Sequence, residues 1–127
     1  LHMSDATLTF PQTLVLRYGQ FEPAERQQPQ VVQDYTRWFL ARLRAVEAAV
    51  AHNEYLCAGR FTAADVAVGY ALLLAQHLGL VQQFGPATQA YWQRLQDRPA
   101  YQRALAAQHQ AALAQGVSPQ PSPDIRP

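Results

Sequence analysis

The segment that most limits the fold of this chain is 61–65, with the sequence FTAAD. A Thr followed three residues later by an acidic residue is typical of a capping box. In such a box the Thr62 hydroxyl accepts the backbone N–H of Asp65, and the Asp65 carboxylate accepts the N–H of Thr62. Phe61 before the cap and Val66 at the fourth helical position predict a hydrophobic staple. A helix is therefore expected to begin here.

The helix that follows the box carries apolar residues on every side over residues 66–75. A helix with that pattern is expected to be buried by its neighbours. Gly69 lies in its middle, where Gly costs about 1 kcal/mol relative to Ala, so we expect another helix to approach closely at this point. The chain is predicted to be all-α, a bundle of about five helices around this buried central helix.

The other helices follow from apolar residues at three- and four-residue spacing and from helix-breaking residues. Pro11 is expected to kink or interrupt the first helix, and a loop is expected to begin at Gly19. No strand pattern is present. The predicted helices cover residues 1–18, 29–52, 62–77, 86–96 and 99–115.

The domain boundary is predicted near Gly116. The chain has 127 residues, which is enough for one domain with a core. Residues 1–116 are predicted to form that domain. Residues 117–127 contain Pro at four positions and are predicted to form a flexible tail.

Composition argues against several classes of function. The formal net charge is +1, which gives no electrostatic reason to expect binding to nucleic acid or to an anionic membrane. The longest apolar run, residues 66–75, is too short to span a bilayer. Cys57 is the single cysteine, so no internal disulfide can form, and no signal-peptide pattern opens the chain. A cytoplasmic protein is predicted.

The sequence shows no recognisable catalytic or metal-binding motif. The four His residues are scattered without the spacing of metal ligands, and Cys57 has no neighbouring base. Thr62 and Asp65 bring a hydroxyl and a carboxylate together, but their position before an apolar helix favours a structural cap over a catalytic pair. We therefore predict no metal site and no catalytic residue within the chain.

Three features together resemble the C-terminal helical domain of cytosolic, bacterial-type glutathione S-transferases. The first is the segment YLCAGRFTAADVA at residues 55–67, which is similar to the family's capping box and staple. The second is YWQRL at 91–95 followed by RPAYQRA at 98–104, similar to the last common helices. The third is the long helix that begins at Pro29. In this order they cover the chain from residue 1 to about 110.

The resemblance implies that a complete protein has an N-terminal thioredoxin-like domain. In the family that domain binds glutathione, the co-substrate, and supplies the Ser, Tyr or Cys that activates its sulfur. No part of this sequence resembles it, so the chain alone is expected to be inactive. It would be an isolated domain, a proteolytic remainder or a stand-alone relative. Residues 1–3 are either native or a cloning remnant.

The resemblance also implies positions for binding. The first helix of the domain lines the pocket for a small hydrophobic electrophile, which places His2, Ala6 and Thr9 in a substrate pocket. Asp5, on the same helix face, corresponds to an acidic residue that binds the amino group of glutathione. The alternative for Asp5 is an exposed acid without that role. The first two helices would form a homodimer interface.

Two functions from different classes remain open. In one, the chain is the helical half of an enzyme that uses glutathione for conjugation, reduction or isomerisation. In the other, it is a non-catalytic protein-interaction module of the same fold. A helical bundle unrelated to the family is a third possibility. If the chain is the helical half of an enzyme, an exposed apolar patch is also predicted on the first and central helices, where the thioredoxin-like domain would lie.

Overall fold

The computed structural model describes residues 2–119, and within them the backbone forms five α-helices and no strand, as an all-α bundle requires. The greater part of the predicted tail, residues 120–127, lies outside the described residues. The helices are α1 Phe10–Leu16, α2 Pro29–Val50, α3 Ala63–His77, α4 Pro86–Gln96 and α5 Pro99–Ala114.

The first helix is longer and wider than its α-helical part. Ser4–Thr9 before α1 and Arg17–Phe21 after it form turns of π-helix. Pro11 has no N–H to donate, and the turn before it is widened where the sequence predicts a kink. The loop predicted from Gly19 was placed too early. Gly19 remains helical because its missing side chain leaves room for α2, where Val32 would lie 3.2 Å from an added Cβ.

The long helix α2 supplies one side of the core. Pro29 stands in its first turn, where no backbone N–H is required. Four residues of the predicted apolar stripe are buried: Phe39, Leu43, Val46 and Val50. The helix ends at Val50 rather than at His52.

The central helix α3 is buried on one side only, which corrects the expectation of a fully buried helix. Val68, Ala71, Leu72 and Ala75 lie in the core. On the opposite side Val66 is 59% exposed and Tyr70 is 55% exposed. A helix with apolar residues on every side is favoured in a buried position, but it is buried on every side only where other segments pack around it. Here the described helices leave one side open.

Gly69 is buried in α3, as its position in the pattern predicts. A Cβ at this position would lie 3.2 Å from Cδ1 of Leu95 in α4. The absence of a side chain therefore lets the two helices approach closely, which offsets the low helix propensity of Gly.

Helix α4 is capped by a residue of another helix. Its N-cap position is Gly85, which has no side chain to accept the free backbone N–H groups. Glu47 of α2 accepts them instead, from Ala87 at 3.0 Å and from Thr88 at 2.7 Å. Burial alone would raise the pKa of Glu47, but hydrogen bonds from Thr88 and Ala87 hold it below its usual range. This contact fixes α4 against α2.

Substitution of Gly85 by Ala should destabilise the protein by about 1–3 kcal/mol, because the new Cβ would collide with the Glu47 carboxylate and break the cap. Urea denaturation followed by circular dichroism measures the effect. The control is the Glu47→Ala background, which removes the carboxylate that the new Cβ would meet. In a Glu47→Ala background, Gly85→Ala should cost much less than in the wild type; equal costs in both backgrounds would contradict the collision.

Helix α5 lies at the edge of the bundle. It begins at Pro99, directly after α4, and none of its residues is buried. Tyr101 meets Trp92 of α4 edge to face, with ring centroids 5.7 Å apart. Gly116 follows the helix with φ 66° and ends it, as the sequence predicts.

Candidate functional site

Asp65, in the first turn of α3, is 1% exposed, and its carboxylate accepts hydrogen bonds from three parts of the chain. Its Oδ2 accepts the backbone N–H of Thr62 at 2.8 Å and the hydroxyl of the same residue at 3.1 Å. Its Oδ1 accepts the N–H of Leu56 at 3.0 Å and the hydroxyl of Tyr91 at 2.8 Å. One side chain therefore joins the helix start, the preceding connector and α4.

The capping box is present at the start of α3. Thr62 has an extended backbone, with φ −137° and ψ 177°, and its hydroxyl oxygen accepts the N–H of Ala64 at 3.3 Å. The same hydroxyl donates to Asp65, so both its donor and its acceptor are used. This geometry is that of a helix cap, in which Ala64 and Asp65 hold the hydroxyl at the start of α3.

Asp65 remains ionised in this arrangement. Burial would raise its pKa, but hydrogen bonds from Leu56, Thr62 and Tyr91 outweigh burial and leave the pKa below its ordinary value. The pKa of Tyr91 is raised well above its usual range by burial and by its bond to the carboxylate. Near neutral pH the pair is therefore a charged acceptor and a neutral donor. Both groups hold α4 against the start of α3.

The two staple residues, Phe61 and Val66, have different surroundings. Phe61 packs edge to face on Tyr55, with centroids 5.9 Å apart, and its ring lies 3.6 Å beneath the guanidinium carbon of Arg98. Val66 stays on the open side of α3. Phe61 is thus held mainly by the connector and by the residue before α5, contacts that the staple pattern does not indicate.

The four residues implied for binding lie at the surface of the first helical turns. His2, Asp5 and Ala6 are exposed, and Thr9 is half-buried. The hydroxyl oxygen of Thr9 is buried and has no hydrogen-bond partner. Asp5, Ala6 and Thr9 fall within one π-helical segment, so the structure brings them onto neighbouring turns, but they do not form an enclosed pocket.

A cleft that no local sequence pattern predicts lies between α3 and α5. Its volume is about 350 Å³, and its walls are almost entirely apolar. The aromatic residues of its walls are Phe61, Tyr70, Trp92 and Tyr101. The cleft combines residues 30 or more positions apart. The one sequence feature that points to the cleft is the apolar residues on every side of α3, because the bundle leaves some of them, such as Val66 and Tyr70, exposed.

Other classes of site receive no support from the described residues. Among residues 2–119, no group of three or more His, Cys, Asp or Glu residues could hold a metal ion. In the same part of the chain, no helix combines the length and apolarity needed to cross a membrane. Cys57 is a free, exposed thiol 3.4 Å from the Thr62 hydroxyl.

Comparison with known proteins identifies no family for this chain. No protein-family model matches it, and no curated protein is found to be similar to it. Any statement about its function therefore depends on the residues and geometry described above.

Proposed function

We propose that this chain is the helical half of a glutathione S-transferase-like protein. In this proposal an N-terminal thioredoxin-like domain binds glutathione and activates its thiol. The thiolate then attacks an electrophilic carbon bound beside the helical half, the carbon–sulfur bond forms, and the leaving group departs. The helical half contributes a hydrophobic surface for the electrophile and contacts for a homodimer.

The observation that carries the proposal is the capping box at the start of the central helix. The Thr62–Asp65 box stands between a connector that it binds through Leu56 and a helix that it binds through Tyr91. The same segment carries the sequence resemblance. A box used in this way organises three parts of a helical domain.

The exposed surfaces also support the proposal. Asp5 and Ala6 are accessible on the first turns, and Phe10 beside them is 51% exposed. Val66 and Tyr70 add an open apolar face on α3. Apolar side chains exposed on the first and central helices are what a second domain would cover. An interaction module would use the same surface for a different protein, so catalysis must be tested directly.

The 127-residue chain by itself should conjugate glutathione to 1-chloro-2,4-dinitrobenzene no faster than the uncatalysed reaction. The activating Ser, Tyr or Cys belongs to the other domain in this proposal. The assay follows the absorbance of the conjugate with increasing concentrations of both substrates. Saturable turnover by the chain alone would contradict the assignment of the activating residue to the other domain.

In the protein translated from the complete reading frame, Asp5→Asn should raise the KM for glutathione about tenfold and leave kcat nearly unchanged. A charge-assisted hydrogen bond to the glutathione amino group contributes about 1.5 kcal/mol to binding, which corresponds to that factor. Asp97→Asn, an exposed acid directly after α4 and outside the first two helices, is the matched control. An unchanged KM for Asp5→Asn would remove Asp5 from the site.

A further inference from the structure

The cleft between α3 and α5 has the size and lining of a small-molecule site. Its volume of about 350 Å³ lies within the range of pockets that enclose small ligands, and such pockets are mainly apolar with a few polar groups. The floor includes Gly69, and the α5 side includes Ala100 and Ala104. Three small residues therefore leave open the space that larger side chains would fill.

The walls of the cleft favour a flat aromatic ligand. Four aromatic side chains line it: Phe61, Trp92, Tyr101 and Tyr70, which is 55% exposed on α3. Aromatic side chains bind aromatic ligands by offset stacking and edge-to-face contacts, which add to the burial of apolar surface. The rings are held in place, since Trp92 donates its indole N–H to Gln76 at 2.7 Å.

Arg98 supplies a positive charge at the wall of the cleft. Its guanidinium lies over the Phe61 ring, and Nη1 donates to the Tyr55 hydroxyl at 3.2 Å. Among the described residues, no carboxylate forms an ion pair with it. Asp65 also borders the cleft, but it is buried and its two oxygens already accept four hydrogen bonds. The guanidinium therefore has N–H donors left for an anion.

We propose that this cleft binds a planar aromatic carboxylate. The ring system lies between α3 and α5, and the carboxylate accepts hydrogen bonds from Arg98, in the geometry that guanidinium and carboxylate groups favour. The cleft shares Val66 and Tyr70 with the open face of α3, whereas none of His2, Asp5, Ala6 and Thr9 lines it. Binding in the cleft is therefore a function additional to the binding of glutathione and an electrophile.

The binding of 2-naphthoate to the full chain tests the proposal, with 2-naphthamide as the neutral ligand of the same shape. Isothermal titration calorimetry gives both dissociation constants, and backbone amide NMR shifts give the location. We expect saturable binding of 2-naphthoate that is about tenfold tighter than binding of 2-naphthamide, because a hydrogen bond to a charged group is stronger than one to a neutral group. The shifts should cluster in α3 and α5.

Two variants and a control distinguish the contribution of the Arg98 charge to ligand affinity from that of the cleft volume. Arg98→Gln should abolish the preference for 2-naphthoate and leave binding of 2-naphthamide. Ala104→Leu should fill the cleft and weaken both ligands at least tenfold. Arg103→Gln, which removes an α5 charge outside the cleft lining, should change neither. Circular dichroism confirms the fold of each variant.

Three results would each overturn the proposal. They are the absence of saturable 2-naphthoate binding, equal affinities of the wild type for the two ligands, and unchanged affinities in a folded Ala104→Leu variant. The first two need no variant, so they decide the question even where Arg98→Gln does not fold. None of the three bears on conjugation by the complete protein, which depends on the first helix.

Discussion

Asp65→Ala should destabilise the protein by about 3–5 kcal/mol, and at 37 °C much of it should be unfolded. A lost helix cap alone costs about 0.5–2 kcal/mol. Here the substitution also leaves the N–H of Leu56 and the hydroxyl of Tyr91 without their acceptor. Each buried donor left unsatisfied adds about 1–3 kcal/mol. Urea denaturation followed by circular dichroism, with Asp65→Ala and wild type at equal concentration, measures the difference.

The matched control for this substitution is Asp34→Ala. Asp34 is an exposed acid of α2, 3.7 Å from Arg37, and removing it should change stability by less than about 0.5 kcal/mol. A loss for Asp65→Ala of only about 1 kcal/mol would mean that the bonds to Leu56 and Tyr91 contribute little. The carboxylate would then be a local cap only.

Acid should act on the same carboxylate. The pKa of Asp65 is lower in the folded state than its ordinary value of 3.8. Its contribution to stability is therefore present above pH 4 and is lost as the pH falls through the folded pKa. Asp65→Asn should be less stable at neutral pH and should lose less further stability between pH 5 and pH 2. Glu47, whose pKa is also lowered, retains its own acid dependence in both proteins.

Leu72→Ala should cost about 2–5 kcal/mol, because Leu72 is fully buried in the core face of α3 and its removal leaves a cavity. Val66→Ala, on the same helix, should be nearly neutral. Val66 is 59% exposed, so little burial is lost, and Ala has the higher helix propensity. Thermal unfolding of the two variants under identical conditions measures both effects.

The contrast between these two positions tests whether one side of α3 is open. If Val66→Ala were as damaging as Leu72→Ala, the face that carries Val66 and Tyr70 would be buried in solution, for example in a dimer. Repeating the measurement over a tenfold range of protein concentration distinguishes the two cases, since a dimer's unfolding temperature rises with concentration.

Local patterns predicted most of the fold. The bounds of α4 agree at both ends with those expected from Pro86 and Asp97, and α2 and α5 begin at the prolines that the sequence indicates. The start of α3 follows from the Thr62–Asp65 spacing. In each of these cases the signal lies within one helix turn of the boundary, where capping and proline geometry act directly.

Contacts between distant parts of the chain could not be predicted in this way. Asp65 and Tyr91 are 26 positions apart, and Glu47 caps a helix that begins some 40 positions later. Neither pair has a spacing pattern, because their meeting depends on how complete helices pack. The early placement of the loop at Gly19 has the same origin. A glycine that accommodates a neighbouring helix has the same sequence signature as one that ends a helix.

The two candidate sites also differ in whether a local sequence pattern could predict them. Asp5, Ala6 and Thr9 share a face because residues three and four apart are neighbours on a helix, which the sequence alone indicates. The aromatic cleft joins residues of α3, α4 and α5 with Arg98 from the connection between two helices. Its existence depends on how far α5 stands from α3, and no local pattern reports that distance.

We propose that this chain is the helical half of a glutathione-dependent enzyme. The most direct measurement is the conjugation of glutathione to 1-chloro-2,4-dinitrobenzene by the protein translated from the complete reading frame. We expect turnover that saturates with both substrates, and the loss of that turnover when the reading frame is shortened to these 127 residues. A complete, folded protein that neither catalyses this reaction nor binds immobilised glutathione would contradict it and favour an interaction module.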